Sequence, residues 1–300
     1  MSFATHTPLP NQPKNHLGSL PRNLEGDLAG LGLRFPYHQE ILDTKPDLGW
    51  LEIHPENYFG GGEPLYFLEK IREHYPLSFH SVGLSLGSTE RVSPNHMKQI
   101  KALIDRFKPF QVSDHASWSA SGNAHLNDLL PLPYTKEGIE TIVRNINDVQ
   151  EVFGREILIE NPSASLSFRE DEMSEPEFLN EVAQRTGCFL LLDVNNAYVQ
   201  SVNHDFDPKH YIDTIKTDKI KEIHLAGHTV ETDGEHKLLI DTHNDTVCND
   251  VWDLYEYTIQ KHGEHLTLIE WDQDYPDLDI LMNEVKKVRN VVSRVKDVAA

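Results

Sequence analysis

The chain has 300 residues, of which 38% are hydrophobic and 25% are charged, and its formal net charge is −21. This acidic balance disfavours non-specific binding to nucleic acid or to an anionic membrane surface, because both need a basic footprint. The two cysteines exclude a disulfide scaffold and a cysteine-rich zinc site, and they are typical of a protein of the reducing cytoplasm.

The N-terminal stretch 1–26 is rich in Pro, Asn and Gly and lacks the apolar segment of a secretory signal. We expect it to be a weakly ordered arm. No apolar run in the chain approaches the ~20 residues that a membrane-spanning helix needs. Nothing after the arm has the composition of a linker, so residues 27–300 are predicted to form one domain.

Eight short β-rich runs follow in chain order after the arm. They are residues 30–34, 50–54, 77–80, 110–113, 157–160, 189–193, 220–224 and 266–270. Their content of Val, Ile and Leu is typical of strands that are buried on both faces, as in a parallel sheet.

Helix signals lie between these runs. The clearest segments are 94–107, which begins with Pro, 135–154, 174–187, which opens with a capping box, and 275–298. Eight strands alternating with helices over ~250 residues predict an α/β fold, the (β/α)8 TIM barrel. A doubly wound open sheet is the alternative, but the G-x-G-x-x-G and Walker phosphate-binding motifs are absent from the sequence.

Residue types that bind metals stand at or just after seven of the eight predicted strand ends, which meet at one mouth in a TIM barrel. They are His54, Glu56, Asn57, His80, Asp114, His115, Glu160, Asn161, Asp193, Asn195, Asn196, His224, His228, Asp241, His243, Glu270 and Asp272. Any single one could be a hydrogen-bonded structural residue or a helix N-cap. Together, however, their carboxylates could not all stay ionised in a closed cavity without cations. The pattern therefore predicts a polynuclear metal site.

The donors of this predicted site are imidazole nitrogens and carboxylate oxygens, without a thiolate. Such a set suits iron, manganese or zinc. The number of donors exceeds what one ion needs, so two or three ions are expected. The sequence has no H-E-x-x-H motif, which argues against a zincin.

Aromatic residues also follow several predicted strand ends. Among them, Tyr58, Trp118 and Tyr198 are candidates for binding a substrate in the barrel mouth. The alternative is that they cap the barrel core.

The strand ends carry short strings that resemble the multinuclear non-heme iron-dependent oxidative enzymes, a family that includes the oxidase of methanobactin biosynthesis. The matching strings are residues 54–58 (HPENY), 80–87 (HSVGLSLG), 113–115 (SDH), 160–162 (ENP), 193–196 (DVNN), 224–228 (HLAGH), 241–243 (DTH) and 270–272 (EWD). The resemblance implies a xylose isomerase-like TIM barrel, in agreement with the predicted fold.

The resemblance also implies a set of metal ligands. They are His80, His115, Glu160, Asp193, Asn196, His228, Asp241, His243 and Glu270. Asn196 departs from the family pattern, in which a His stands at this position, so a weaker third metal position is expected. Residues that would bind metal or hold the ligands are His54, Asp114, Asn195, His224 and Asp272. No catalytic residue is assigned apart from these.

Two or three iron ions (Fe2+/Fe3+), dioxygen as co-substrate and a cysteine-containing ribosomal precursor peptide as substrate are implied by the same resemblance. A small partner protein that presents the peptide is implied as well, whereas nucleic acid and membrane are not expected as partners. Zinc or manganese could occupy the sites in the purified protein, because affinity order does not favour iron. The alternatives are a manganese- or zinc-dependent sugar isomerase or epimerase, an endonuclease IV-like phosphodiesterase, and a non-catalytic metal-binding protein.

Overall fold

A computed structural model describes residues 27–121, 124–234 and 236–299, so the predicted arm at 1–26 lies outside the described residues. The described residues form twelve strands: β1 (Ala29–Gly32), β2 (Trp50–Ile53), β3 (Leu77–His80), β4 (Gln111–His115), β5 (Trp118–Ser121), β6 (Ala124–Leu130), β7 (Leu158–Glu160), β8 (Phe189–Asp193), β9 (Ile220–Leu225), β10 (Thr229–Asp233), β11 (His236–Ile240) and β12 (Leu266–Ile269).

Eight of these strands close into a parallel barrel in the order β1-β2-β3-β4-β7-β8-β9-β12. Each contains or overlaps one of the eight predicted runs, so the TIM barrel is confirmed and the open sheet is wrong. Closure follows from the pairing of β1 with both β2 and β12.

Helices surround the barrel and fill most of the connections between its strands. They are α1 (His38–Thr44), α2 (Gly62–Arg72), α3 (Pro94–Phe107), α4 (Lys136–Phe153), α5 (Glu175–Thr186), α6 (Val194–His204), α7 (Pro208–Thr214), α8 (Asn249–His262) and α9 (Leu278–Ala299). The four predicted helices correspond to α3, α4, α5 and α9, although α9 begins at Leu278, three residues after the predicted start at Tyr275. No helix among the described residues is both long and apolar enough to cross a bilayer.

The barrel interior is apolar at its lower end and polar towards its upper end. Trp50, Leu266 and Leu268 form a buried cluster near the starts of their strands, separate from the larger core between barrel and helices. Gly30 is needed there, because a Cβ atom at this position would lie 2.3 Å from the Trp50 indole. This apolar cluster fills the lower end of the barrel, and the polar residues lie towards the carboxyl ends of the strands.

Two β-hairpins, β5–β6 and β10–β11, were not predicted from the sequence. They occupy the connections that follow β4 and β9, and both reach the mouth of the barrel through Leu126, Leu129 and Ile240. The hairpins therefore extend the walls of the mouth beyond the strand ends.

Asn145 of α4 fixes the loop that follows β3. Its buried Nδ2 donates to the carbonyl oxygens of Leu86, Ser88 and Glu90 at 2.9, 2.8 and 3.2 Å. No other side chain among the described residues is bonded to three carbonyls of this loop, so Asn145 determines its path beside the barrel mouth.

We predict that Asn145→Ala lowers the free energy of unfolding by about 1–3 kcal/mol, because buried carbonyl groups lose their donor. Urea denaturation followed by circular dichroism measures this change. The matched control is Asn95→Ala on the exposed face of α3, for which a change within about 0.5 kcal/mol is expected. Equal stabilities of the two variants would contradict the anchoring role of Asn145.

Candidate metal centre

A cavity of about 660 Å³ opens at the carboxyl ends of the barrel strands. Seven of the predicted ligands line it: His80, His115, Glu160, Asn196, Asp241, His243 and Glu270. Asp193 lies fully buried beside Glu160, and His228 stands half-buried at the rim. The barrel thus brings side chains from separate strands into one polar mouth.

His80, His115 and Glu160 form the tightest group in this mouth. The Nε2 atoms of the two imidazoles lie 3.3 Å apart, and Glu160 Oε2 lies 3.0 Å from His80 Nε2 and 3.3 Å from His115 Nε2. Donor atoms that bind one ion at about 2.0–2.2 Å lie about 3 Å from one another. The three atoms therefore have the mutual spacing of ligands to a single metal ion.

A hydrogen bond to the neighbouring strand orients the His80 imidazole. Its Nδ1 lies 2.8 Å from Ser113 Oγ, and that hydroxyl donates in turn to the Phe79 carbonyl. The serine Oγ therefore accepts a hydrogen bond from His80 Nδ1–H, which leaves a lone pair on Nε2 that faces Glu160. A partner that fixes the second imidazole nitrogen in this way is the usual support of a metal-binding histidine.

Within this group, the protonation of His115 and the ionisation of Glu160 favour each other. Burial opposes protonation of His115, but Glu160 and Asp114 outweigh it and raise the pKa of His115 to about 9. Burial opposes ionisation of Glu160, but His115 and His80 outweigh it and lower the pKa of that carboxyl. In the metal-free protein a proton on the imidazole pair therefore substitutes for a cation.

A second group joins Glu160 to Asp193 and Glu270, with His224 beneath them. Asp193 is the N-cap of α6, so its Oδ1 accepts the Asn196 backbone N–H at 2.7 Å. Burial and the nearby Glu160 raise the pKa of Asp193 well above its usual range. Ionisation of Asp193 beside Glu160 is therefore unfavourable without a cation, and a bound divalent ion would favour it.

Orphaned polar atoms test whether a metal fits this mouth. Asp193 Oδ2 and Asn196 Oδ1 are buried and have no hydrogen-bond partner among the described residues. Buried polar groups are nearly always satisfied in folded proteins. Each of these atoms belongs to a predicted ligand, so the residues fit a bound metal, and their nitrogen and oxygen donors suit iron, manganese or zinc.

Asp241 and His243 form a third group on the segment that follows β11. His243 Nε2 lies 2.7 Å from Asp241 Oδ1, while Asn195 links this carboxylate to His228. The Asn195 amide donates to Asp241 Oδ1 and its carbonyl accepts from His228 Nδ1. His228 therefore keeps Nε2 for a ligand, although no close group of donor atoms includes this residue.

The backbone of His243 has φ = +47°, in the left-handed region. This conformation is uncommon for a residue with a side chain, and it persists only where the surroundings enforce it. Here the His243 N–H donates to the Gly227 carbonyl, and the His243 carbonyl accepts from Asp272. The strained backbone holds the imidazole over the mouth.

The remaining site candidates hold other residues in place. Asp114 accepts the backbone N–H groups of Leu84 and His115. His54 Nδ1 lies 3.0 Å from the His80 carbonyl, and its Nε2 lies 3.5 Å from Asp272. These contacts place Asp114 and His54 around the ligand positions, and their direct binding of metal stays a prediction.

His224 stands below the mouth, between two layers of carboxylates. Its Nδ1 lies 3.0 Å from Glu270 Oε2, and its Nε2 lies 3.2 Å from Glu52 and 3.4 Å from Glu222. Burial opposes its protonation, but Glu52 and Glu270 outweigh it and raise the pKa of His224 well above its usual range. Both ring nitrogens face carboxylates, so His224 supports Glu270 from below.

Sequence reasoning missed this lower layer. Glu52 accepts from Ser78, and Glu222 accepts from Gln111, all four being buried inside the barrel. The sequence did contain a sign that these two glutamates point into the barrel. Glu52 and Glu222 each stand two residues before a strand-end histidine and so share its inward face.

Arg34 is a second missed residue. The first predicted strand ends at Arg34, and no carboxylate or imidazole stands there. The Arg34 guanidinium is buried and donates hydrogen bonds to Glu270 and Asp272. A basic residue at a strand end was the available signal.

The three aromatic candidates do not line the described cavity. Tyr58 is buried, with its hydroxyl 2.9 Å from His38 Nε2. Trp118 donates to the Pro131 carbonyl, and Tyr198 packs against His228 while its hydroxyl bonds Asp250. These contacts are those of packing residues, and a role in substrate binding stays a prediction.

Solved structures share the fold at low sequence identity. Endonuclease IV from Thermus thermophilus has a TM-score of 0.58 and 14% identity, over 89% of this chain and 99% of that chain. D-psicose 3-epimerase from Clostridium cellulolyticum has a TM-score of 0.54 and 12% identity, over 89% and 98%. A xylose isomerase-like TIM barrel protein from Mycobacterium smegmatis has a TM-score of 0.54 and 8% identity, over 86% and 89%. These similarities show the xylose isomerase-like barrel alone.

Curated relatives are much closer in sequence. A UPF0276 protein of Psychromonas ingrahamii is 47% identical over 272 residues, which are 90% of this chain and 96% of the relative. A UPF0276 protein of Vibrio parahaemolyticus is 48% identical over 270 residues, 89% and 93% of the two chains. The family model described as RiPP precursor modification enzyme MbnB/TglH/ChrH matches residues 28–293. The chain, with its buried imidazole and carboxylate groups, therefore belongs to the MbnB/TglH/ChrH family of enzymes that modify the precursors of ribosomally made peptides.

Proposed function

We propose that the protein is an iron- and dioxygen-dependent enzyme that oxidises a cysteine residue of a ribosomal precursor peptide. The observation that carries this proposal is the convergence of His80 Nε2, His115 Nε2 and Glu160 Oε2 within 3.3 Å of one another, in a chain of a peptide-modifying family. Imidazole and carboxylate donors with no thiolate suit iron in a redox role.

Three groups of residues would hold the ions. His80, His115 and Glu160 form the first, and Glu160 also faces the second through Asp193 and Glu270. The third would comprise Asp241 and His243, with Asn196 and His228 as further donors. Bound iron would supply the redox chemistry that couples dioxygen to oxidation of the cysteine segment, and a nearby cation would lower the pKa of the substrate thiol.

The protein's own residues favour a peptide over the alternative substrates. Val82, Leu126, Leu129 and Ile240 give the mouth an apolar rim, and among the described residues no lysine or arginine lines the cavity. Phosphate groups of DNA or of a sugar phosphate would therefore find no lysine or arginine side chain to bind there. A hydroxyl-rich sugar would leave the apolar rim uncovered, whereas a peptide segment could cover it.

We further propose that residues 27–300 act as one domain in the cytoplasm and receive the peptide from a small partner protein. Resemblance to the iron-dependent family supports the partner, and the low cysteine content supports the compartment. Neither proposal changes the roles of the residues in the mouth.

The decisive experiment is anaerobic purification from iron-supplemented cells, with metal analysis and Mössbauer spectroscopy of an iron-57 sample. Two or more irons per chain and a spectrum that changes on exposure to oxygen are expected. Co-expression with a cysteine-bearing precursor peptide, found by a search of the gene neighbourhood, should change the peptide's mass, and a Cys→Ser peptide should stay unmodified. Stoichiometric zinc or manganese, with no activity gained on iron reconstitution, would refute the iron oxidase.

We predict that His115→Ala removes iron from the first group and lowers peptide oxidation at least ~100-fold, because one ion loses a ligand. Metal analysis and mass spectrometry of the peptide measure both effects. The matched control is His262→Ala, since His262 is a buried histidine bonded to Thr217 and the Ile212 carbonyl, and it does not line the mouth. Retention of all iron by His115→Ala would contradict the assignment.

Metal affinity at the first group should rise with pH. In the metal-free protein His115, with its pKa raised to about 9, is protonated at neutral pH, and an ion binds only the neutral ring. The apparent affinity for zinc alone is therefore expected to increase about tenfold per pH unit from pH ~7 to pH ~9 and then to level off. Calorimetry in buffers of different ionisation enthalpy counts the released proton. A pH-independent affinity with no proton released would contradict the coupling.

A further inference from the structure

Arg34 stands where the chain leaves β1, and its guanidinium bonds Glu270 and Asp272 beside the barrel mouth. Its side chain is only 3% exposed. A Cβ atom on Gly32 would lie 3.0 Å from Arg34 Nη1, so the glycine leaves room for the guanidinium. No function described above uses this buried cation.

The guanidinium holds Glu270 by one oxygen. Arg34 Nη2 donates to Glu270 Oε1 at 3.0 Å. The other oxygen, Oε2, lies 3.0 Å from His224 Nδ1, and Glu270 belongs to the group of donor residues with Glu160 and Asp193. Arg34 therefore fixes the orientation in which the Glu270 carboxylate faces this group.

The same guanidinium reaches His243 through Asp272. Arg34 Nε donates to Asp272 Oδ1 at 2.7 Å, and Asp272 Oδ2 lies 3.2 Å from His243 Nδ1. A proton on Nδ1 directed at this carboxylate leaves Nε2 as the ligating nitrogen, and that atom lies 2.7 Å from the predicted ligand Asp241. Carboxylate–histidine pairs of this kind orient metal ligands in many proteins.

Charge balance adds a second reason for Arg34. Glu270 and Asp272 meet at this point, and two imidazoles lie near both of them. His54 Nε2 lies 4.0 and 3.5 Å from their oxygens, and His243 Nδ1 lies 3.4 and 3.2 Å from them. A planar guanidinium can bond two carboxylates at fixed angles, which an ammonium group cannot. Removing it would leave the buried Glu270 and the half-buried Asp272 free to turn towards or away from the mouth.

We propose that Arg34 is a positioning residue of the metal centre, which sets Glu270 and His243 in their ligating orientations. It acts on the ions held by these two residues and leaves the ion of His80, His115 and Glu160 unchanged. This inference rests on the proposed metal binding, and it assigns to Arg34 a role beyond the ligand set.

The test is anaerobic titration of metal-free protein with iron(II), with Mössbauer spectra of iron-57 samples, for Arg34→Met and Arg34→Lys. We expect Arg34→Met to bind at least one ion ~10–100-fold more weakly than the wild type, while one ion keeps its affinity and its spectrum. Arg34→Lys should recover only part of the loss, because the charge returns without the two-carboxylate geometry.

A matched control separates this effect from general destabilisation. Arg155→Met removes another largely buried arginine, one that donates to the carbonyls of Pro109 and Phe110 at the opposite end of the barrel. It should bind the full complement of iron even where its melting temperature falls as far as that of Arg34→Met. Equal iron affinity in Arg34→Met and the wild type, or equal loss in both arginine variants, would overturn the inference.

Asp272→Asn provides a second route if Arg34→Met does not fold. It keeps the size of the side chain and weakens its contacts to Arg34 and His243, so a loss at the same ion is expected. Unchanged iron binding by Asp272→Asn would also overturn the inference. A wild-type protein that binds no iron would refute the proposed function itself, a result distinct from normal iron binding by the variants.

Discussion

Buried carboxylates crowd the barrel mouth and require compensating positive charge, and most features of the site follow from this constraint. Glu160, Asp193 and Glu270 are each at most 3% exposed and share one group of donor atoms. Burial and the nearby Glu160 raise the pKa of Asp193 well above its usual range, so full ionisation of the group is unfavourable without a cation. The arrangement is costly without a bound cation and favourable with one, as expected of a site built for metal.

Two sets of side chains, one below and one beside the predicted ligands, hold these carboxylates in place. The lower layer, Glu52, Glu222 and His224, lies inside the barrel and supports Glu270 from beneath. Arg34 acts from the side, so a ligand carboxylate is bonded by an imidazole on one oxygen and a guanidinium on the other. Such a shell restricts ligand motion before any ion binds, which lowers the reorganisation that binding requires.

Much of this architecture was predictable because parallel strands place their carboxyl ends together. A buried run that ends in a histidine or carboxylate, such as that of His80 or Glu160, therefore indicates both the fold and the site. The hairpins were not predictable in the same way, since short strands in connections lack the pattern of a buried sheet. Arg34 and the inward Glu52 were missed because charge within a buried strand was not treated as a signal of a partner.

The fold alone does not select the chemistry, since an endonuclease and an epimerase share it at similar TM-scores. What distinguishes this chain lies at the strand ends and on the rim. Imidazoles supply several donors within the mouth, while β6 and β11 contribute apolar side chains around it. The former suit the proposed iron site, and the latter would match a peptide segment with few charges. The barrel thus places the predicted ligands on rigid strand ends, while the inserted hairpins add apolar side chains where the proposed peptide would lie.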